Sequence, residues 1–261
     1  MSQEWSSIAA GPACQLVPLD GLTDRVQRVT KPVAQGRYSY RFEIRDGDDC
    51  VGPRTELANA LPDHLMYPHQ ERWISLQAYF PNNYQLHGPA NYRTGLMQLK
   101  QIGSYSQYPA ISVSNGKGFL CIYLDSRSSR VWDRHCGAGY YDLGRPAKNR
   151  WVQLTLHIRF EGDRKGFVEV CGDLRNKQGY RRLRVLRHVQ TLTKDGSDVL
   201  PSLARIGIYR STFVRGTEDL YVDGFTVASD RPTAEKNAFG RVHQPTRKHR
   251  DLCMRSDDRH L

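Results

Sequence analysis

The chain has 261 residues, enough to bury one sizeable core, and all-β domains of this length fold as a single unit. Lys and Arg total 38 against 27 Asp and Glu, and the resulting charge of +11 favours a polyanionic partner: nucleic acid, an anionic membrane surface or an acidic polysaccharide. No apolar run approaches the ~20 residues of a membrane-spanning helix, Met1–Ala10 shows no signal peptide, and the six cysteines (Cys14, Cys50, Cys121, Cys136, Cys171 and Cys253) lack a CxxC pair or a zinc spacing.

Short alternating segments separated by turn residues run along the chain, the pattern of an all-β sandwich or barrel. Residues 1–28 form an N-terminal segment that can add an edge strand. Tyr38–Arg45 alternates aromatic or apolar with polar residues and ends at Asp46-Gly47-Asp48-Asp49. A helical turn is expected around Thr55–Leu61. Trp73–Phe80 and Thr94–Ile102 follow as strands, and a Gly/Ser/Tyr-rich loop spans 103–108. Ala110–Ser114 leads through Asn115-Gly116, a hairpin signal, into Phe119–Leu124.

Residues 125–144 are expected to be a loop rich in Arg, Gly and Tyr. Strands return at Trp151–Phe160, Gly166–Cys171, Arg205–Arg210 and Leu220–Val227. Cys121 and Cys171 sit in apolar runs as small buried thiols, with a disulfide open to any pair in an oxidising compartment. From residue 230 onward the apolar pattern fades into Arg, Lys, His, Asp and Pro. A basic flexible tail, 230–261, is expected there, after a core domain over 29–229.

No GxSxG, phosphate-cradling glycine loop or HExxH occurs, and no strand carries closely spaced Glu and Asp in the manner of a glycosidase. Three segments instead place polar residues on strands where a core has no use for them. Alternation puts Arg54 and Glu56 on one face, Gln98 and Lys100 on one face, and Arg205, Gly207 and Tyr209 opposite Ile206 and Ile208. As neighbours, these strands would form one groove floor. Plainer roles stay open: Arg54 with Glu56 as an ion pair, Gln98 at a strand edge, Tyr209 as a half-buried aromatic.

The ordered series Arg37–Arg45, Gly52-Pro-Arg-Thr-Glu-Leu57, Gly95-Leu-Met-Gln-Leu-Lys100, Arg205-Ile-Gly-Ile-Tyr-Arg210 and Leu220–Phe225 resembles the jelly-roll polysaccharide lyases that include heparin lyase I and are related to glucuronan and alginate lyases. The resemblance covers roughly 29–229 and implies a concanavalin-like jelly-roll sandwich of two antiparallel sheets. It also implies a lyase that cleaves a uronic-acid-containing polysaccharide by β-elimination. In that family an Arg-x-Glu strand and a Gln-x-His strand line the groove, and a Tyr moves the proton. Carried over, Arg54 and Glu56 match the first, Gln98 the second, and Tyr209 the Tyr. Lys100 stands where better-known members have His, and Arg205 where they often have Lys.

Elimination removes the C5 proton of a uronate and expels the 4-linked oxygen, so the carboxylate must first be neutralised. Gln98 and Arg54 are placed for that task. Tyr209 is the acid for the leaving oxygen and, if neighbouring cations favour its phenolate, also the base. Lys100 is the alternative base, although an ordinary amine with a pKa of ~10.4 is a poor one at neutral pH. Glu56, Arg205, Arg210 and the loop aromatics Tyr92, Tyr105 and Tyr108 are the substrate-binding candidates, with Tyr140 and Tyr141 in similar loops. His87, His135 and His157 are weak stand-ins for the missing His. Calcium, present in some relatives, is the one cofactor the resemblance raises, and no spacing identifies a site for it. Asp223 is expected to fix a turn rather than bind metal. The expected partner is an acidic polysaccharide bound by a monomer, with no membrane, in an extracellular or periplasmic setting. A glycan-binding protein without catalysis, and nucleic-acid binding, are the alternatives.

Overall fold

Alternation of apolar and polar side chains drives this chain into strands, because each strand can then turn one face to a shared interior and the other outward. The structure, a computed structural model, describes residues 7–10, 15–17, 24–48, 53–59, 64–86, 94–102, 109–124, 132–174, 179–195 and 198–243. The first strands are β1 (Ser7–Ala10), β2 (Gln15–Val17), β3 (Val26–Val29), β4 (Ser39–Ile44), β5 (Arg54–Asn59), β6 (Glu71–Tyr79) and β7 (Thr94–Gln101). The hairpin of β8 (Ile111–Gly116) and β9 (Phe119–Leu124) precedes the short β10 (Trp132–Asp133), β11 (Gly137–Ala138) and β12 (Tyr140–Gly144). Then come β13 (Trp151–Arg159), β14 (Gly166–Asp173), β15 (Arg181–Val189), β16 (Lys194–Asp195), β17 (Asp198–Val199), β18 (Ser202–Arg210), β19 (Glu218–Ala228) and α1 (Arg231–Phe239).

Two antiparallel sheets stack as a jelly-roll sandwich. One has eight strands in the order β12-β9-β8-β7-β18-β5-β1-β2, the other seven in the order β15-β14-β13-β6-β19-β4-β3. The core lies between them: Leu57, Met97, Leu99, Ile111, Val113, Ile206 and Ile208 face Phe42, Ile74, Leu76, Leu154, Leu156 and Leu220, all fully buried. Each such side chain contributes roughly 1.5–3 kcal/mol of burial. Among the described residues no helix is long and apolar enough to cross a membrane.

Several sequence expectations are corrected. Thr55–Asn59 belongs to β5 rather than to a helical turn. The β8–β9 hairpin turns at Lys117 and Gly118, both with positive φ (49° and 85°), and not at Asn115-Gly116. Asn115 instead accepts from the Thr94 amide and donates to the Gln85 carbonyl, tying β8 to its neighbours. Within 125–144, expected as loop, β10, β11 and β12 form, and Tyr140 and Tyr141 lie in a strand. The Arg-rich β15 was hidden because charge broke its alternation.

Cys121 is bonded to Cys136, and Cys171 is also disulfide-bonded, so neither is the free thiol expected. The tail is not flexible where it begins. Asp230 caps α1 through the Thr233 amide, Pro232 sits in its first turn, and Gly240 closes it at φ 70°. The helix packs on the outer face of the seven-stranded sheet, where Gln77 donates to the Ala238 carbonyl. Inside the contact, buried Glu235 takes hydrogen bonds from Arg231 and from the His243 amide. The rest of the expected tail, 244–261, lies outside the described residues.

Candidate active site

The three strands that carry the polar candidates are adjacent: β18 lies between β7 and β5. Their register sets the faces, since directly opposed residues point the same way. Arg205 is opposite Ala58 on one side and Gln98 on the other, Gly207 is opposite Glu56, and Tyr209 is opposite Arg54 and Gly95. Arg54, Glu56, Gln98, Lys100, Arg205 and Tyr209 therefore share the outer face, while Leu57, Leu99, Ile206 and Ile208 fill the core.

The ladder is not regular here. Four residues of β18, from Ile206 to Tyr209, are matched by only three on β7, from Met97 to Gly95, and a second shift on the other side of β7 falls between Gly95 and Met97. Such bulges bend a strand and re-aim its side chains. Gly207 makes the first shift possible. Its φ of +139° and the 2.1 Å separation that a Cβ would have from the Thr55 carbonyl oxygen admit no other residue.

Electrostatics concentrate at this face. Glu56 is almost fully buried, and burial raises its pKa against the pull of Arg205, Arg54 and Lys100. Lys100 moves the other way: burial, then Arg205 and Arg54, lower it, with Glu56 opposing. The Arg54 guanidinium lies 4.3 Å from the centre of the Tyr209 ring, and its Nη1 is 3.9 Å from Glu56 Oε2. Glu56 Oε2 and Arg205 Nε are buried without a hydrogen-bond partner. Three cations thus lie around one carboxylate, and an amide and a phenol share their face, which leaves this part of the sheet with an excess of positive charge.

Arg210 does not join this group. It follows Tyr209 in the alternation, so its side chain turns away from the groove. There it is buried, with Nη1 donating to the Gly216 carbonyl and to Glu218 and Nη2 to Asp46. It is a structural ion pair, not a substrate ligand. Tyr92, Tyr105, Tyr108 and His87 lie outside the described residues. His135 is held by Asp142 Oδ2 at 2.8 Å and stacked on Phe119 at the β12 end of the sheet, and His157 stacks on Trp73 in the other sheet, so neither replaces the missing His.

Further residues, not among the sequence candidates, continue the same face. Ser112 is opposite Gln98 and Ser114 opposite Gly95, both nearly buried, and Tyr123 and Tyr140 pair beyond them with ring centres 4.8 Å apart. Alternation in Ile111-Ser-Val-Ser114 signalled the two serines. Asp133, His135 and Asp142 lie close enough to hold a cation, but their oxygens are engaged by the amides of His135, Cys136 and Gly144 and by the His135 ring. The cluster is a turn lock.

A family model described as polysaccharide lyase matches residues 2–226. No curated protein matches the chain in sequence. Among solved structures, an endo-β-1,4-glucuronan lyase from the fungus Trichoderma reesei superposes with a TM-score of 0.62 at 14% identity, covering 88% of this chain and 97% of its own. An alginate lyase from Pseudomonas aeruginosa gives 0.55 at 16% identity, over 87% of this chain and all (100%) of its own. A β-glucanase catalytic domain from Podospora anserina, a hydrolase on the same fold, gives 0.54 at 10% identity, over 88% and 86%.

Proposed function

The chain belongs to the polysaccharide lyase family, and from that premise we propose that it cleaves a uronate-containing polysaccharide by β-elimination on the outer face of the eight-stranded sheet. The observation that carries the reading is the gathering of Arg54, Arg205, Lys100, Gln98 and Tyr209 on that face. Substrate enters with its carboxylate toward Gln98 and the guanidinium of Arg54. Neutralising that carboxylate acidifies C5 and stabilises the enolate that forms on proton loss. Lys100 or Tyr209 takes the C5 proton. The C4–O4 bond then breaks, C4 and C5 become doubly bonded, and Tyr209 returns a proton to the departing oxygen.

Glu56 is a positioning residue, not an acid catalyst: its carboxylate lies beneath the three cations and holds them in the floor. Hydrolysis on this fold needs two carboxylates about 5–9.5 Å apart across the bond. Among the described residues of this face, Asp142 is five strands from Glu56, about 24 Å at the usual strand spacing.

The test is to incubate the protein with glucuronan, alginate, heparin, hyaluronan and bacterial capsules and follow the ultraviolet absorbance of the new double bond. At least one polymer is expected to give it. Reducing ends formed without that absorbance would mean hydrolysis and overturn the reading. A second reading, glycan binding without catalysis, is favoured by Lys100 in the place of His. Binding of the same polymers with no product would establish it.

A further inference from the structure

A cavity of about 450 Å³ opens on the opposite side of the eight-stranded sheet from Arg205, with Ile206 of β18 in its floor and Tyr40 of β4 and Val222 of β19 beside it. It is a mouth between the two sheets, at the end where the core gives way to the β3–β4 loop. Arg28, Arg37 and Tyr38 stand at its rim, and Asn237 of α1 closes one side. None of these residues belongs to the groove described above.

The walls are fixed. Asp223 Oδ2 accepts from the amides of Ala34 and Gln35 at 2.9 and 3.0 Å, which ties the β3–β4 loop to β19, as the sequence led one to expect of this residue. The Gln35 side chain donates to the Asn237 carbonyl and so ties the loop to α1. Helix and strand meet at backbone contact: a Cβ on Gly224 would lie 2.1 Å from the Ala238 carbonyl oxygen. A site whose loop is already immobilised loses little entropy when a ligand arrives.

Its chemistry suits one class of ligand. Arg28 and Arg37 form no ion pair with a described carboxylate, and the Asp223 oxygen facing the loop is committed to two amides. Two guanidiniums against the single carboxylate of Asp223 leave the cavity with an excess of positive charge, and guanidinium forks match a carboxylate. Tyr38 is 50% exposed, a large ring left at the mouth with the Arg28 guanidinium 5.6 Å from its centre. An exposed ring beside a cation, with amide groups of Gln35 and Asn237 inside, offers a stacking plane, an anion contact and hydroxyl partners together.

We propose that this cavity is a second, non-catalytic site that binds a carboxylate-bearing sugar of an acidic polysaccharide. It goes beyond the lyase reading and takes from it only the ligand class. Two sites on one molecule, one on each side of the same sheet, would hold a long polymer near the groove between cleavage events, with affinity raised by effective concentration.

The experiment is calorimetric titration of the full chain carrying Tyr209→Phe, which keeps the probe intact, with oligosaccharides of glucuronan, alginate and heparin. Two binding events are expected. Arg28→Ala with Arg37→Ala, and separately Tyr38→Ala, should weaken one of them by about tenfold or more, leave the other unchanged and leave thermal melting unchanged, because all three side chains are exposed. In a chain with Tyr209 intact the same variants should leave turnover of a short oligosaccharide unaltered. A single event abolished by Gln98→Ala and indifferent to the rim variants would overturn the second site while the groove reading stands. A single event lost with the rim variants but indifferent to Gln98→Ala would uphold it while the groove reading fails. No binding of any probe, or displacement by inorganic phosphate as effective as by the sugars, would overturn it.

Discussion

Tyr209→Phe separates chemistry from architecture more cleanly than any other change in the groove. The substitution removes one oxygen and keeps the ring, so the Arg54 guanidinium retains its place 4.3 Å from the ring centre. That contact is worth about 0.5–1 kcal/mol at a partly exposed site, and none of it is lost. The phenol is half-buried, and stability should change by under about 0.5 kcal/mol, which for a chain of this size moves Tm by less than about 2 °C. The rate should respond quite differently. Losing the proton donor to O4 removes a general acid, about 10²–10⁴-fold, or roughly 2.7–5.4 kcal/mol of transition-state stabilisation. The measurement is kcat and KM on the cleaved polymer, read by the absorbance of the unsaturated product, beside a melting curve. A mutant that melts like wild type and eliminates within threefold of its rate would refute Tyr209 as the proton donor.

The base is tested by pH. Because burial and the neighbouring guanidiniums lower Lys100, the acidic limb of kcat/KM should fall below the ordinary amine value of ~10.4 if Lys100 takes the C5 proton, and Lys100→His should carry it toward ~6.5; an unmoved limb in that variant assigns the proton to another group. Glu235 is held at about 2 despite its burial, by His243 and Arg231, so its contribution is present above the ordinary carboxylate range and is lost as pH falls toward 2. Glu235→Gln should cost about 2–3 kcal/mol at neutral pH and little near pH 2, as measured by denaturant titration at both. Cys136→Ala, which opens the Cys121 bridge across 15 residues, should cost about 3 kcal/mol in the same titration and loosen β10 and β11 to hydrogen exchange.

How far the site could be read from the chain depends on which signal each residue carried. Arg54, Glu56, Gln98, Lys100, Arg205 and Tyr209 were legible because a polar residue every second position has one outward face, and the pairing of β7, β18 and β5 then brings those faces together. The same rule, applied one residue further, already placed Arg210 on the wrong side; charge alone had argued for it, and alternation should have prevailed. The helix at 231–239 was also written in the chain, as Asp230, Pro232 and Gly240 at cap positions, but weak amphipathicity hid it: two alanines, Phe239 and a carboxylate make its buried face. Nothing local foretold Glu235, whose burial depends on Arg231 and His243 closing over it.

A lysine at position 100 is best understood from the charges around it. An imidazole in this floor would need no help to be neutral near pH 7, whereas an ammonium ion must be discharged by burial and by two guanidiniums, and Glu56 works against that. Glu56 thus has two opposed effects: it offsets the charge of Arg54 and Arg205, and it works against the discharge of Lys100. A substrate carboxylate adds a second negative charge and favours the ammonium further, so proton removal by Lys100 weakens as substrate binds. The Tyr209 ring, by contrast, lies 4.3 Å from the Arg54 guanidinium. Lys100→Met should retain more of the elimination rate than Tyr209→Phe, and a Lys100→Met protein with no elimination at all, still folded and still binding oligosaccharide, would reassign the base to the lysine.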